Sequence, residues 1–165
     1  MKVAVIGAGA SGLMAAYAAA MKGNEVTVYE KNSKCGKKIY ITGKGRCNVT
    51  SLVPAQEFLL SVVNNAKFLT GAIYSLPPER MYAFLEDGGC RLKIERGNRV
   101  FPVSDKASDV TKCLQQYCER AGVVFKFDSK VQDISILNST VSGIIVDNNF
   151  IPYEKVIVCT GGLSY

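Results

Sequence analysis

The feature that most constrains this chain lies at its start. In the stretch VAVIGAGASGLMAAYAAAMKGNEVTVYEK, residues 3–31, three glycines fall as Gly7-x-Gly9-x-x-Gly12 between a β-branched run and an alanine-rich one. Glu30 closes the apolar run that follows. Val3 to Ile6 reads as a buried parallel strand. Gly7 to Gly12 reads as a turn, Ser11 to Lys22 as a helix stopped by Gly23-Asn24, and Glu25 to Tyr29 as a second strand.

The spacing has a direct physical reading. Gly7 permits a tight turn, Gly9 lets the backbone approach a pyrophosphate where a side chain would clash, and Gly12 lets helix and strand pack closely. The helix start then offers free N–H groups and a positive dipole end to phosphates. Gly7, Gly9, Ala10, Ser11 and Gly12 are therefore candidate contacts of a dinucleotide, with the Ser11 hydroxyl as an added donor. Glu30 is placed to accept hydrogen bonds from the adenosine ribose hydroxyls, and its charge argues against a 2′-phosphate there. A P-loop is excluded: Gly43-Lys44 is followed by Gly45 rather than Ser or Thr, and no glycine stands at the upstream spacing.

Lys2, the apolar stretch and Ala18-Ala19-Ala20 resemble a secretion signal, but glycines and a serine interrupt the run, which suits a turn better. No apolar run approaches the ~20 residues of a membrane span. A cytoplasmic location is expected, without membrane association. The six cysteines form no Cys-x-x-Cys and the chain has no His, so reduced thiols and no metal site are expected. Asn48-Val49-Thr50 and Asn138-Ser139-Thr140 match the glycosylation sequon, which carries no meaning in that compartment.

Residues 1–50 hold eight Lys/Arg against two Glu and so carry the whole net charge of +6. Six of those basic residues lie between Lys31 and Arg46 with no acid among them. A nucleic-acid site would spread its charge along a wider face with exposed aromatics. A short basic segment after a glycine turn better suits a phosphate-bearing cofactor, so no nucleic-acid partner is expected.

Residues 31–50 read as a loop. Residues 54–63, 65–75 and 77–87 read as helices, the last opened by Pro77-Pro78 and closed by Gly88-Gly89. Arg91 to Glu95 and Arg99 to Phe101 pair across Gly97-Asn98, a hairpin signal. Ala107 to Ala121 is an amphipathic helix. Val123 to Phe127 is a strand, and 131–137, 140–146 and 150–153 are three short strands joined by Asn-Ser and Asn-Asn turns. Lys155 to Cys159 is a last buried strand, running into Thr160-Gly161-Gly162. The layout is α/β: a parallel core with a small antiparallel meander before the final parallel strand. No linker interrupts it, and residues 1–165 read as one domain.

Three ordered segments carry a resemblance. They are Glu30 with Gly36-Lys37-Lys38 and Thr42-Gly43-Lys44-Gly45-Arg46-Cys47-Asn48; Arg99-Val100-Phe101-Pro102-Val103-Ser104-Asp105-Lys106-Ala107; and Cys159-Thr160-Gly161-Gly162-Leu163-Ser164-Tyr165. Together they resemble the bacterial BaiN-like, HI0933-like or "aminoacetone oxidase family" NAD(P)/FAD-dependent oxidoreductases. The resemblance implies a Rossmann-like FAD-binding domain of the glutathione-reductase type. It places Val131 backbone groups at the adenine, and Thr160, Gly161 and Gly162 in a second turn near the pyrophosphate and ribityl chain. Gly45, Arg46, Cys47 and Asn48 fall near the ribityl or flavin end, and Lys31, Lys37 and Lys38 beside the phosphates. Lys37 stands where the family often has Arg, which keeps the charge but loses a bidentate fork.

Relatives run to roughly twice this length or more, which suits a multi-domain reading. The chain is thus expected to be an N-terminal part, incomplete at its C-terminus and lacking the substrate domain and the returning segment. The implied chemistry is hydride transfer from NAD(P)H to flavin N5 and on to an unidentified small molecule. That acceptor is an activated carbon–carbon double bond, as in steroid-type substrates, or the reaction is amine oxidation. A truncated, inactive nucleotide-binding module is the alternative from another class. A plain NAD-binding Rossmann protein is a third reading, against which the meander speaks.

No catalytic acid or base is identified. A His is excluded by composition, and Tyr29, Tyr40 and Tyr165 could donate protons, with core or surface packing the default for each. Cys47 is a redox candidate or a packed thiol. Cys113 and Cys118 have the spacing of a dithiol motif, but five residues apart on a helix they point about 140° apart and cannot bond.

Overall fold

The computed structural model describes residues 1–162; Leu163, Ser164 and Tyr165, and the part of the third signature they carry, lie outside the described residues. The chain groups into two compact units, one of residues 1–39 with 114 onward and one of residues 40–113.

In the first unit, strands β1 (Lys2–Ile6), β2 (Glu25–Tyr29), β6 (Val124–Lys126) and β10 (Lys155–Val158) form a parallel sheet in the order β10-β1-β2-β6. Val5 lies opposite Val28 on one side and Ile157 on the other. Val3, Val5, Val26 and Val28 are buried on one face and Ala4 and Tyr29 on the other, as expected of a sheet covered on both faces. Helix α1 (Ala10–Ala20) packs on β1, β2 and β10 and buries Leu13 and Ala16. The Asn24 side-chain amide closes the helix by donating to the Ala19 carbonyl at 2.9 Å.

Strands β7 (Val131–Leu137), β8 (Thr140–Val146) and β9 (Asn149–Pro152) make the antiparallel meander. Its Ile144 and Val146 pack with Ala4 and Tyr29, so the meander covers the sheet face opposite to that of Val3 and Val5. Tyr29 and Tyr153 meet edge to face there with their hydroxyls 3.0 Å apart.

The second unit is built on the hairpin β4 (Leu92–Glu95) and β5 (Arg99–Pro102), to which β3 (Thr50–Ser51) adds antiparallel at Arg99–Val100. Helices α2 (Ala55–Leu60) and α3 (Ala66–Ser75) bury no residue, whereas α4 (Pro78–Asp87) buries Leu85. Helix α5 (Ala107–Arg120) buries Ala107, Val110 and Cys113 in this unit and Leu114 and Cys118 in the other. Cys113 Sγ lies 3.7 Å from the Leu85 carbonyl oxygen and Cys118 Sγ 3.2 Å from that of Leu13, so the two thiols serve different partners.

Residues 31–50 depart from the loop reading. Ile39–Gly45 is a kinked 3-10 stretch with an extended Thr42 and left-handed Gly43 and Lys44 inside it, and β3 starts at Thr50. A 3-10 turn needs only local i to i+3 bonds and leaves no long hydrophobic period. A two-residue strand is defined by its partner rather than by its own pattern.

Candidate dinucleotide site

Because β10, β1 and β2 are parallel and adjacent, their carboxyl ends come side by side, Ile6 facing both Tyr29 and Val158. That edge of an open α/β sheet is where ligands bind. Gly7, Glu30 and Cys159 each leave it. The Gly7 N–H donates to Tyr29 O at 2.8 Å and the Cys159 N–H to Ile6 O at 2.8 Å.

The three glycines of the turn have different reasons. Gly7 takes φ +102°, and a β-carbon on it would lie 2.5 Å from the Cys159 carbonyl oxygen. A β-carbon on Gly12 would lie 1.8 Å from the Gly7 carbonyl oxygen. Gly9 has φ −78° and ψ −174°, ordinary extended backbone, and its β-carbon would meet nothing within 4 Å. Protein packing therefore explains Gly7 and Gly12 and leaves Gly9 unexplained. Around Gly9 lie the N–H groups of Gly9, Ala10, Ser11 and Gly12, none with an acceptor among the described residues. Ala10 and Ser11 are exposed. Unpaired N–H groups at a helix start, beside a surface kept clear of side chains, fit a pyrophosphate.

Glu30 is 8% exposed. Its Oε2 accepts the Ala8 N–H at 2.8 Å, and its Oε1 accepts the Asn32 N–H at 2.9 Å and the Asn32 side-chain amide. The carboxylate thus braces the glycine turn as well as facing its edge. Lys31 and Lys37 are exposed; Lys38 Nζ donates to the Gly162 carbonyl at 2.5 Å, tying the basic segment to the second glycine turn. Thr160, Gly161 and Gly162 are exposed, Gly161 at φ +76°. Val131 opens β7 opposite Val146, two residues beyond Ser129, whose N–H donates to Glu30 O at 2.9 Å. The first unit therefore gathers Gly7–Gly12, Glu30, Lys38 and Gly161–Gly162 at one sheet edge.

Gly45, Arg46, Cys47 and Asn48 belong to the second unit. Here Arg46 holds Glu95 through both carboxylate oxygens, at 2.8 and 3.2 Å, and Asp105 at 3.2 Å, with its guanidinium 4.1 Å over the Phe101 ring. Lys93 pairs with Asp105 at 2.7 Å. The hydrogen bond from Arg46 holds the Glu95 carboxyl below its ordinary range, and that from Lys93 does the same for Asp105. Cys47 is buried, and burial pushes its thiol up, against a smaller lowering by a hydrogen bond with Thr42. A raised thiol is a poor nucleophile. Asn48 is exposed, and neither its N–H nor its side-chain amide has a partner among the described residues. Sequence reasoning missed Asn32, Glu95 and Asp105 as partners of site residues. Asp105 at least stood within a signature; Asn32 and Glu95 carried no signal.

A glycine turn of this kind at the carboxyl edge of a parallel sheet, with an antiparallel meander on the opposite face from the helix, defines a Rossmann-type FAD-binding domain. The chain matches the family described as "HI0933-like protein Rossmann domain" over residues 1–165 and belongs to it. It is 28% identical over 162 residues to the ribosomal RNA dihydrouridine synthase of Escherichia coli, covering 97% of this chain and 39% of that one. It is 28% identical over 165 residues to the 3-dehydro-bile acid delta(4,6)-reductase of Clostridium scindens, covering 98% and 39%. The chain thus spans about two fifths of the length of these relatives. Among solved structures, the open conformation of a flavocytochrome c3 fumarate reductase superposes with a TM-score of 0.74 at 22% identity, covering 98% of this chain and 33% of that one. Among the described residues, no helix is long and apolar enough to cross a membrane.

Proposed function

We propose that this chain holds the ADP half of FAD in a flavin-dependent oxidoreductase. The observation that carries the reading is Gly9, a glycine required neither by its backbone angles nor by any described neighbour, beside four N–H groups without a partner among the described residues. Gly9, Ala10, Ser11 and Gly12 would take the pyrophosphate on their N–H groups. A carboxylate has about four acceptor sites, and three of those on Glu30 are in use. One is left for a ribose hydroxyl. Lys31, Lys37 and Lys38 offset phosphate charge, while Val131, Thr160, Gly161 and Gly162 supply backbone groups at the same edge. Gly45, Arg46, Cys47 and Asn48 are the residues of the second unit assigned to the same cofactor.

Bound FAD would supply two-electron chemistry, taking hydride from NAD(P)H and delivering it to an acceptor. The acceptor we favour is an activated carbon–carbon double bond in a small molecule, because the name of the 3-dehydro-bile acid delta(4,6)-reductase describes reduction of such a molecule. A uracil in RNA is the second reading. It is favoured by the synthase's name. The free thiols support a cytoplasmic location.

The test is to mix the purified chain with FAD, remove free ligand by desalting and record the visible spectrum. A retained flavin band is the expected result. A chain folded by circular dichroism that takes up no FAD at saturating concentration overturns the assignment. NADH oxidation by the flavin-loaded protein, with an enone or a uracil-containing RNA added in turn, separates the two acceptors.

A further inference from the structure

We propose that Arg46 is a positioning residue: with Glu95, Asp105 and Phe101 it clamps the left-handed Thr42–Asn48 loop, so that Asn48 keeps its N–H and amide available to the bound cofactor. The proposal rests on the flavin reading above. It differs from that reading in giving Arg46 no direct share in neutralising cofactor charge.

The loop needs a clamp. Gly43, Lys44, Gly45 and Cys47 take φ of +54°, +56°, +88° and +62°, and two of these are residues for which the left-handed region is strained. Gly43 has no room for a side chain, since a β-carbon would lie 2.8 Å from the Asn48 nitrogen and 3.0 Å from the Phe101 ring. Within the loop the Arg46 N–H donates to Gly43 O at 3.2 Å and the Cys47 N–H to Thr42 O at 3.1 Å; at its exit the Val49 N–H donates to Val100 O at 2.9 Å. The Arg46 side chain adds the lateral tie, reaching Glu95 at the end of β4, Phe101 in β5 and Asp105 beyond it. A planar, bidentate guanidinium stacked on an aromatic face suits that role, which Lys cannot fill.

The same lattice makes Arg46 a poor anion ligand. Two cations, Arg46 and Lys93, stand against two carboxylates, Glu95 and Asp105, all within 3.6 Å of an opposite charge. The group is locally neutral, and a phosphate approaching Arg46 would meet two carboxylates already in place. Asn48, by contrast, carries donors and an acceptor that are open among the described residues, at the end of the clamped loop.

Glu95→Gln separates the two roles by sign. If Arg46 met the cofactor directly, removing the competing charge would free it and FAD would bind more tightly. If Arg46 is a clamp, losing the charged partner loosens the loop, and the Kd for FAD should rise about tenfold, the scale of one weakened charge-assisted bond. Arg46→Lys, which keeps the charge and loses the fork, should behave like Glu95→Gln.

The second readout needs no cofactor: amide hydrogen exchange at Arg46 and Cys47 should accelerate in both variants, with exchange in β1 and β2 unchanged. Unchanged exchange at Arg46 and Cys47 overturns the clamp whether or not flavin binds. Faster exchange with unchanged or tighter FAD binding overturns the positioning role. If the unaltered chain takes up no FAD while exchange still accelerates, the flavin reading fails, and Asn48's role with it, and the clamp alone stands.

Discussion

Gly9→Val should cost the chain its flavin and almost none of its stability. The backbone at Gly9, φ −78° and ψ −174°, is open to a β-branched residue, and beyond its chain neighbours no described residue lies within 4 Å of the new β-carbon. Valine is a poorer helix N-cap than glycine, and it also lowers the entropy of the unfolded chain; the two effects oppose each other at about 1 kcal/mol or less each. The melting temperature should therefore move by no more than about 4 °C. On the proposed reading, a side chain at this point would obstruct the N–H groups of Ala10 and Ser11. Blocking two charge-assisted hydrogen bonds at about 1.5–3 kcal/mol each removes about 3–6 kcal/mol, a loss of roughly 10²–10⁴ in affinity. FAD titration followed by quenching of flavin fluorescence measures it, with thermal unfolding on the same sample. Gly7→Ala and Gly12→Ala are the contrast: their β-carbons would lie 2.5 and 1.8 Å from carbonyl oxygens, so both should lower stability before any ligand is added. A Gly9→Val protein that holds FAD within threefold of the unaltered chain, or that unfolds as Gly12→Ala does, refutes the reasoning.

Glu30→Gln should behave as a disruptive change despite its shape. Both carboxylate oxygens receive N–H donors, so an amide must turn its own NH2 toward one of them; about 1–3 kcal/mol of stability should go, read as a lower urea midpoint. Gly143→Ala should open the β8–β9 pair, since a β-carbon there would lie 2.3 Å from the Ile151 carbonyl oxygen; overpacking of about 1–3 kcal/mol is expected, read in the same titration. Burial pushes the thiols of Cys35 and Cys90 up to about 12 and that of Cys118 up to about 11. The folded chain then keeps protons that the unfolded chain releases near pH 8.5, so this stability is complete below that pH and falls as pH rises toward 11–12, by about 1.4 kcal/mol per pH unit for each thiol. Urea midpoints at pH 8 and pH 10.5 check it, and Cys118→Ala should show a smaller drop than the unaltered chain.

The elements that were legible are those whose own residues carry the period. β1 and β2 are runs of alternating or continuous apolar residues, and the meander strands were bounded by turns that the chain does make: Asn138 and Ser139 at φ +49° and +60°, Asp147 and Asn148 at +49° and +60°. Left-handed pairs of that kind require just such residues. The hairpin at Gly97-Asn98 follows the same rule. What was not legible depends on distant partners. β3 exists because Thr50 meets Val100, and nothing in Thr50-Ser51 announces that. Arg46 reads as a cofactor-side cation from its glycine-rich neighbours, but its carboxylate partners stand 49 and 59 residues away, and local spacing cannot report them.

The glycine turn shows how far a pattern of identical letters can go. Gly7, Gly9 and Gly12 are indistinguishable as sequence, and the fingerprint assigns each a role from spacing alone. The structure divides them by what a β-carbon would strike: protein at Gly7 and Gly12, open space at Gly9. Glu30 joins the two groups. By accepting the Ala8 N–H it fixes the residue between Gly7 and Gly9, so the carboxylate we propose for a ribose would also set the approach to the proposed pyrophosphate position. Losses of affinity in Gly9→Val and Glu30→Gln should therefore be non-additive, since a displaced turn leaves the introduced valine less to block. A double variant whose loss equals the sum of the two single losses would show that the carboxylate and the turn act separately.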